Sequence, residues 1–218
     1  MNGPVSILIV DDHALVRNML ADRLSREPDL TVCATASDAG AAVLEFNRCR
    51  PDIVLMDIDM PGLVSFEAAR KIKQSSANTE IIFLSAYTND RYIEQALTVG
   101  AAGYVTKGEP VETVIEAIRA VADGDCYFSP EVRSRLVVQP SGATLTHARQ
   151  SLAALLTNRE LEMLRYVARG MSQKEIATLT GVSPQTVHRH CNNLMSKLDI
   201  HDRVDLARYA IREGLAEA

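Results

Sequence analysis

The sequence predicts an α/β domain followed by an all-α domain, and three observations lead there. Short apolar runs alternate with amphipathic stretches five times within the first 125 residues, the pattern of β-α units and of a parallel sheet covered on both faces. Between Ser129 and Leu156 the periodicity stops, and Pro130, Pro140, Ser141 and Gly142 break any long element. From Thr157 onward, helix caps follow one another at short intervals. A length of 218 residues gives two domains room for a core each. The boundaries fall at 1–128 for the α/β domain, 129–156 for a linker and 157–218 for the helical domain.

Val5–Val10 reads as the first strand, and Ala14–Leu24 as the first helix, with Leu15, Met19 and Leu20 at helical spacing. Leu30–Ala34 and Ala39–Cys49 form the second pair. The third strand, Asp52–Met56, is continuously apolar from Ile53, as a strand buried on both faces should be. It runs into Asp57, and Pro61 soon after cannot continue a ladder. A helix over Phe66–Lys73 follows. Glu80–Leu84 with Arg91–Val99, then Ala102–Thr106 with Val111–Ala122, complete the five units. The expected topology is a doubly wound, flavodoxin-like sheet in the order 2-1-3-4-5.

Open α/β sheets bind ligands beyond the carboxyl ends of their strands. Those ends carry one set of polar groups here: Asp11 and Asp12 after strand one, Asp57 after strand three, Ser85 after strand four and Lys107 after strand five. Three converging carboxylates repel one another unless a cation or proton lies between them. Mg²⁺ suits such a site, because it takes oxygen ligands from one or two carboxylates plus phosphate. Aspartate is also a nucleophile toward phosphoryl groups. The set therefore spells Mg²⁺ held by Asp11, Asp12 and Asp57, a phosphoryl group accepted by Asp57, and a grip on that group from Ser85 and Lys107.

With these residues in place, the first domain resembles the receiver domain of two-component response regulators. The likeness rests on Asp11-Asp12, Asp57 within Asp57-Ile-Asp-Met-Pro-Gly62, Ser85, and Tyr104-Val-Thr-Lys107, and covers about residues 5–125. It implies a histidine kinase as phosphodonor, Tyr104 as an aromatic switch that follows Ser85, and the backbone carbonyl of Asp59 as a further Mg²⁺ ligand. Two departures are visible. Leu63-Val64-Ser65 stands where the family often has Met-Asp-Gly. Asp59 and Tyr87 put an extra acid and a bulky ring at the mouth of the site, and we expect both to adjust how fast water removes the phosphoryl group.

In the linker, Thr146–Leu156 suits one short helix. Beyond it, Thr157-Asn-Arg-Glu160 is a capping box opening a helix with Leu161, Leu164, Val167 and Ala168 inward, closed by Gly170. Ser172-Gln-Lys-Glu175 is a second box, leading to Gly181. Ser183 caps a third helix with Pro184 at its first position, and a fourth runs from Asp202 to about Gly214. Two short helices joined by a Gly-containing turn make a helix-turn-helix, whose second member enters the DNA major groove. In the third helix Val187, Cys191, Leu194 and Leu198 form an apolar stripe at i, i+4, i+7 and i+11. The opposite face carries Gln185, His188, Arg189, Asn192, Asn193 and Ser196, with Lys197 near its end and no acid from Ser183 to Leu198. Arginine reads guanine edges, and asparagine or glutamine reads adenine. His188 and His190, at i and i+2, point apart and make a poor metal pair.

The stretches Leu156–Ala177 and Gly181–Leu198 make this half resemble the LuxR-type (NarL/FixJ) DNA-binding domain, over about 157–216. The resemblance implies a four-helix domain on double-stranded DNA, with His188, Arg189 and Asn192 facing bases and Gln185, Thr186 and Lys197 nearer phosphates. It also implies a homodimer formed through the last helix around Val204, Ala207 and Ile211. Position 188 is often Lys in that family; His is mostly neutral at pH 7, which weakens phosphate attraction.

Charge and composition fit this division of labour. Residues 1–128 carry a net −8, 129–156 a net +2 and 157–218 a net +1, so only the back half suits a polyanion. Cys33, Cys49, Cys126 and Cys191 form no CxxC pair, which argues against zinc and against a disulfide framework, and suits a reducing cytoplasm. No run approaches ~20 apolar residues, so the expectation is a cytoplasmic protein without membrane partners. The chain reads as a phosphorylation-controlled transcription factor, not an enzyme, with RNA polymerase a candidate partner. Two alternatives stand beside it: a constitutive DNA-binding dimer with a vestigial receiver, and a phosphatase of the haloacid dehalogenase kind, suggested by Asp57-Ile-Asp59.

Overall fold

The structure is a computed structural model that describes residues 3–60, 65–139, 142–145, 156–213 and 215–216. It divides into two compact units, the first drawn from most of the residues up to 146 and the second mainly from those beyond.

The first unit is built on six parallel strands: β1 (Val5–Val10), β2 (Leu30–Ala36), β3 (Ile53–Asp57), β4 (Glu80–Ser85), β5 (Gly103–Thr106) and β6 (Tyr127–Phe128). Their order is β2-β1-β3-β4-β5-β6, the expected 2-1-3-4-5 with one more strand added beyond β5. That strand has two residues, too few to show a period in sequence. Gly103 is what lets it approach, because a Cβ there would lie 3.1 Å from the Tyr127 carbonyl oxygen and from Ile82.

The helices between strands are α1 (Ala14–Leu24), α2 (Ala39–Cys49), α3 (Ser65–Ser75), α4 (Asp90–Val99) and α5 (Val111–Ala122). Side chains of a strand alternate between faces. On one face Ile7, Ile9, Ile53, Leu55, Ile82 and Leu84 pack with Leu20 and Leu24 of α1 and Val114, Ile115 and Ile118 of α5. On the other, Leu8, Val10, Val54, Met56 and Phe83 are equally buried, and Phe83 meets Phe66 of α3 at 4.9 Å between ring centroids. All five residues of β3 are buried. At ~1.5–3 kcal/mol for each large apolar side chain removed from water, this double-sided burial holds the strand that carries Asp57.

Within 129–156 the chain forms α6 (Pro130–Arg133) and an antiparallel hairpin of β7 (Leu136–Gln139) and β8 (Gly142–Leu145). The helix expected at Thr146–Leu156 lies, up to residue 155, outside the described residues, as do residues 61–64.

The second unit consists of α7 (Asn158–Ala168), α8 (Gln173–Thr180), α9 (Pro184–Leu198) and α10 (Arg203–Arg212). Thr157 and Ser172 both close reciprocal capping boxes with Glu160 and Glu175, and Ser183 accepts from the Thr186 N–H. Asp202 caps α10 through the Val204 and Asp205 N–H groups. Each such cap contributes about 1 kcal/mol. Gly181 ends α8 at φ +66°, a left-handed conformation that only glycine adopts without strain, and so fixes the turn into α9. Val187, Cys191, Leu194 and Leu198 are buried, and Leu161, Leu164 and Val167 supply the core from α7.

Candidate functional site

At the carboxyl ends of β1 and β3, ligand atoms of Asp11, Asp12, His13 and Asp57 all lie within 4.8 Å of one another. Asp11 and Asp57 are wholly buried. Backbone turns aim them: the His13 N–H donates to Asp11 Oδ1 at 2.8 Å and the Asp59 N–H to Asp57 Oδ1 at 2.9 Å. Lys107, delivered by β5, donates to Asp11 Oδ2 at 2.9 Å and stands 2.9 Å from Asp57 Oδ2. The second approach is off the hydrogen-bonding line, so Asp57 Oδ2 keeps no directed bond.

The electrostatics follow from this crowding. Burial above all, with the Asp59 and Asp11 charges adding to it, pushes the Asp57 carboxyl up to about 7, against the opposing pull of Lys107 and the Asp59 N–H. Burial works against the Lys107 charge too, yet Asp57 and then Asp11 more than offset it and hold the ammonium above its ordinary value. One lysine thus leaves the three-carboxylate cluster short of positive charge.

Ser85 ends β4 fully buried. Its hydroxyl donates toward Asp59 Oδ2 at 3.4 Å, and the neighbouring Ala86 N–H donates to the same oxygen at 3.1 Å. Tyr104, in β5, has its side chain entirely buried. Its carbonyl accepts from the backbone N–H of Ser129 at 2.9 Å and from the Ser129 hydroxyl at 3.3 Å, while that hydroxyl accepts from the Thr106 N–H at 3.0 Å. Tyr87 follows Ala86, with its ring tilted against Tyr92 at 6.4 Å.

The second unit presents the outer face of α9. Gln185, His188, Arg189, Asn192, Asn193, Ser196 and Lys197 are exposed, and Thr186 is half-buried. His188 is held between two amides, with Gln173 Nε2 at 3.2 Å from its Nδ1 and Asn192 Nδ2 at 3.1 Å from its Nε2. Thr186 Oγ1 shares a hydrogen bond with Ser183 Oγ at 2.9 Å. Lys197 donates to Glu160 Oε2 at 2.7 Å, the oxygen that also receives the Thr157 N–H, so its charge is largely answered inside the unit. On α10, Val204 and Ile211 are exposed and Ala207 is half-buried on the same side.

The family described as the response regulator receiver domain matches residues 7–119, and bacterial regulatory proteins of the luxR family match residues 154–210. The chain is 35% identical over 217 residues to the oxygen regulatory protein NreC of Staphylococcus carnosus, covering 98% of this chain and 100% of NreC. It is a LuxR-type response regulator. The response regulator UvrY of Escherichia coli (strain K12) is also 35% identical, over 98% of this regulator and 97% of UvrY. The Salmonella typhimurium RcsB response regulator shares its fold at a TM-score of 0.68 and 22% identity, covering 98% of this regulator and all of that chain. Members of the family regulate transcription and are not enzymes, which sets aside the phosphatase alternative.

Receiver domains bind Mg²⁺ at an acidic pocket, and the regulator's cluster fits that ion. Its donors are hard carboxylate oxygens, and buried Asp12 Oδ1 and Asp57 Oδ2 lack directed hydrogen bonds. Three contributors escaped the sequence. His13 lies with Nδ1 2.9 Å from Asp12 Oδ1. Gln173 sits on the helix before the recognition helix, and Ser129 seemed to be the start of a linker. None lies in a spacing pattern that could have singled it out. Among the described residues no helix is long and apolar enough to cross a membrane.

Proposed function

We propose that the regulator is switched by phosphorylation of Asp57 from a histidine kinase, and that the phosphorylated form dimerises on paired DNA half-sites. The observation that carries this reading is Lys107 Nζ standing 2.9 Å from both Asp11 and Asp57 above a buried carboxylate cluster. Asp57 Oδ2, which has no directed hydrogen bond, is the nucleophile; Oδ1 is held by the Asp59 N–H. Oδ2 bonds to phosphorus as the P–N bond to the kinase histidine breaks, and the imidazole nitrogen keeps the electron pair. Mg²⁺, when held by Asp11, Asp12 and Asp57 with the Asp59 carbonyl, supplies charge neutralisation for the transferring group. Lys107 then pairs with one phosphoryl oxygen, and Ser85 and the Ala86 N–H turn from Asp59 to another. Tyr104 follows Ser85 and completes the switch.

Moving a two-state equilibrium from about 1:99 to about 99:1 takes about 5.5 kcal/mol of differential binding. A charge-assisted hydrogen bond contributes ~1.5–3 kcal/mol. Neither Ser85 nor Lys107 is enough alone, and dimerisation supplies the remainder. Val204, Ala207 and Ile211 form the dimer face on α10, and a two-fold dimer reads half-sites about one helical turn apart. On each, His188, Arg189 and Asn192 face bases, while Gln185 and Thr186 lie nearer phosphates. Lys197 joins them only by leaving Glu160.

Incubation with Mg²⁺ and acetyl phosphate, followed by intact mass, tests the phosphoacceptor. The expected result is one hydroxylamine-labile phosphoryl group, absent from Asp57→Asn. A phosphoryl group still gained by Asp57→Asn would overturn the assignment, and no gain by the unaltered protein would favour a vestigial receiver.

A further inference from the structure

Cys33 and Cys49 are 16 residues apart in sequence, but their sulfurs lie 2.9 Å apart in the structure, with the Cys33 thiol donating to Cys49 Sγ. Cys33 lies in β2, at the edge of the sheet, and Cys49 is the last residue of α2. The strand register shows why they meet. Ile7 pairs with Val32 and Leu8 with Ala34, so Cys33 is an extra residue, a bulge in β2 that no residue of β1 opposes. A bulge re-aims side chains and relieves one residue of strict pairing. Here it frees Cys33 from strict pairing, and its sulfur meets Cys49 at the end of α2. The end of α2 is fixed in turn by Arg50, whose left-handed φ of 45° closes the helix and whose guanidinium lies 5.0 Å from the Phe46 ring centroid. Two half-buried thiols on separately anchored elements are thereby held in contact.

We infer that Cys33 and Cys49 are a reversible dithiol–disulfide site, oxidised by a low-molecular-weight disulfide. Cys49, as thiolate, attacks one sulfur of the oxidant, and the first small thiolate leaves with the electron pair. Cys33 gives up its proton and attacks Cys49 Sγ, expelling the second. Two electrons and two protons pass from the protein pair to the oxidant, which ends as two thiols. Burial first, and then the hydrogen bond to Cys49, push the Cys33 thiol up to about 12, so the first attack falls to Cys49, and the second step is favoured by the 2.9 Å approach of the two sulfurs and not by thiolate character. Intracellular disulfides of this kind are typically transient and redox-sensing rather than structural. The product would tie the edge strand to the end of α2, one residue before the turn that leads into β3. Cys126 is exposed and Cys191 buried, and neither has a sulfur partner, so the same molecule carries its own controls.

The test equilibrates the full-length protein with oxidised and reduced glutathione, blocks free thiols with N-ethylmaleimide and maps peptides without reduction. The expected product is a Cys33–Cys49 cross-link, with glutathione on Cys126 and alkylated Cys191 after denaturation. Its formation constant in the native protein should exceed that in denaturant by about 100-fold, a midpoint about 60 mV more negative. Cys49→Ser, checked for native circular dichroism, should lose the cross-link and leave Cys33 alkylated or glutathionylated. Separate glutathione adducts on Cys33 and Cys49, two alkylated thiols there, or equal native and denatured constants would each overturn the site.

Discussion

Asp59 Oδ2 accepts a hydrogen bond from the Ala86 N–H at 3.1 Å, and the Ser85 hydroxyl points to the same oxygen. These are the donors that a phosphoryl group on Asp57 would need. On the proposed reading, the Asp59 carboxylate is a resident anion that an incoming phosphoryl group would displace, and its charge would also repel that group. Asp59→Asn should speed phosphorylation by acetyl phosphate about ten-fold, equivalent to ~1.4 kcal/mol of barrier, and alter the acyl-phosphate lifetime. Unchanged phosphorylation rate and lifetime in this variant would show that the carboxylate does not compete.

Lys107 sets its ammonium against the two buried carboxylates of Asp11 and Asp57. Lys107→Ala should still acquire a phosphoryl group at Asp57, because the nucleophile is intact, but its DNA affinity should rise little on phosphorylation. Comparing band shifts before and after acetyl phosphate measures this directly. A full phosphorylation-dependent gain without Lys107 would remove it from the switch.

Mg²⁺ binding should depend on the oxygens that lack directed partners. Calorimetric titration of Asp12→Asn is expected to show affinity at least about ten-fold weaker, within the range seen when metal-site residues are altered. His13→Ala should have a smaller effect, since its imidazole lies against Asp12 rather than replacing it. Equal affinity in Asp12→Asn would place the ion elsewhere.

Arg189 is exposed on the acid-free face of α9. Substitution to Ala should cost roughly 1–3 kcal/mol of DNA affinity and relax preference at one base pair. A loss of equal size on every sequence would make it a phosphate contact. Lys197→Ala should reduce the salt dependence of binding by less than a free lysine would, because Glu160 already pairs with it.

Glu160 gives the helical unit an acid limit. Burial tends to raise its pKa, but Lys197, followed by the Thr157 N–H and hydroxyl, outweighs burial and holds the carboxyl below its ordinary 4.5. A folded-state pKa below the unfolded one stabilises fully above about pH 4.5 and is lost as pH falls through the folded value. The protection of α7 amides against hydrogen exchange, taken relative to the intrinsic rate at each pH, should therefore fall on acidification below that point, and less steeply in Glu160→Gln. Parallel acid profiles in the two proteins would exclude the pairing as the cause.

Much of this arrangement could be read in the sequence because local chemistry and tertiary position agree. The apolar run before Asp57 is buried along its whole length, and both Ser/Thr-x-x-Glu boxes cap the helices they announced. Strand-end polar residues converge because parallel β-α units bring every strand's carboxyl end to one edge. What stayed hidden depended on pairing rather than pattern. β6 is too short to have a period, the bulge at Cys33 changes no residue type, and the bond from Lys197 to Glu160 joins positions 37 apart. The family resemblance puts Lys197 near phosphates, and its bond to Glu160 is the part that no sequence pattern announces.

The way the chain leaves the sheet has one more implication. Ser129 is bound through both its amide and its hydroxyl to the carbonyl of Tyr104, and its hydroxyl also receives the Thr106 amide. The departing segment is thus riveted to the strand that bears the aromatic, so a shift of that strand would be felt at once by the segment's first residue.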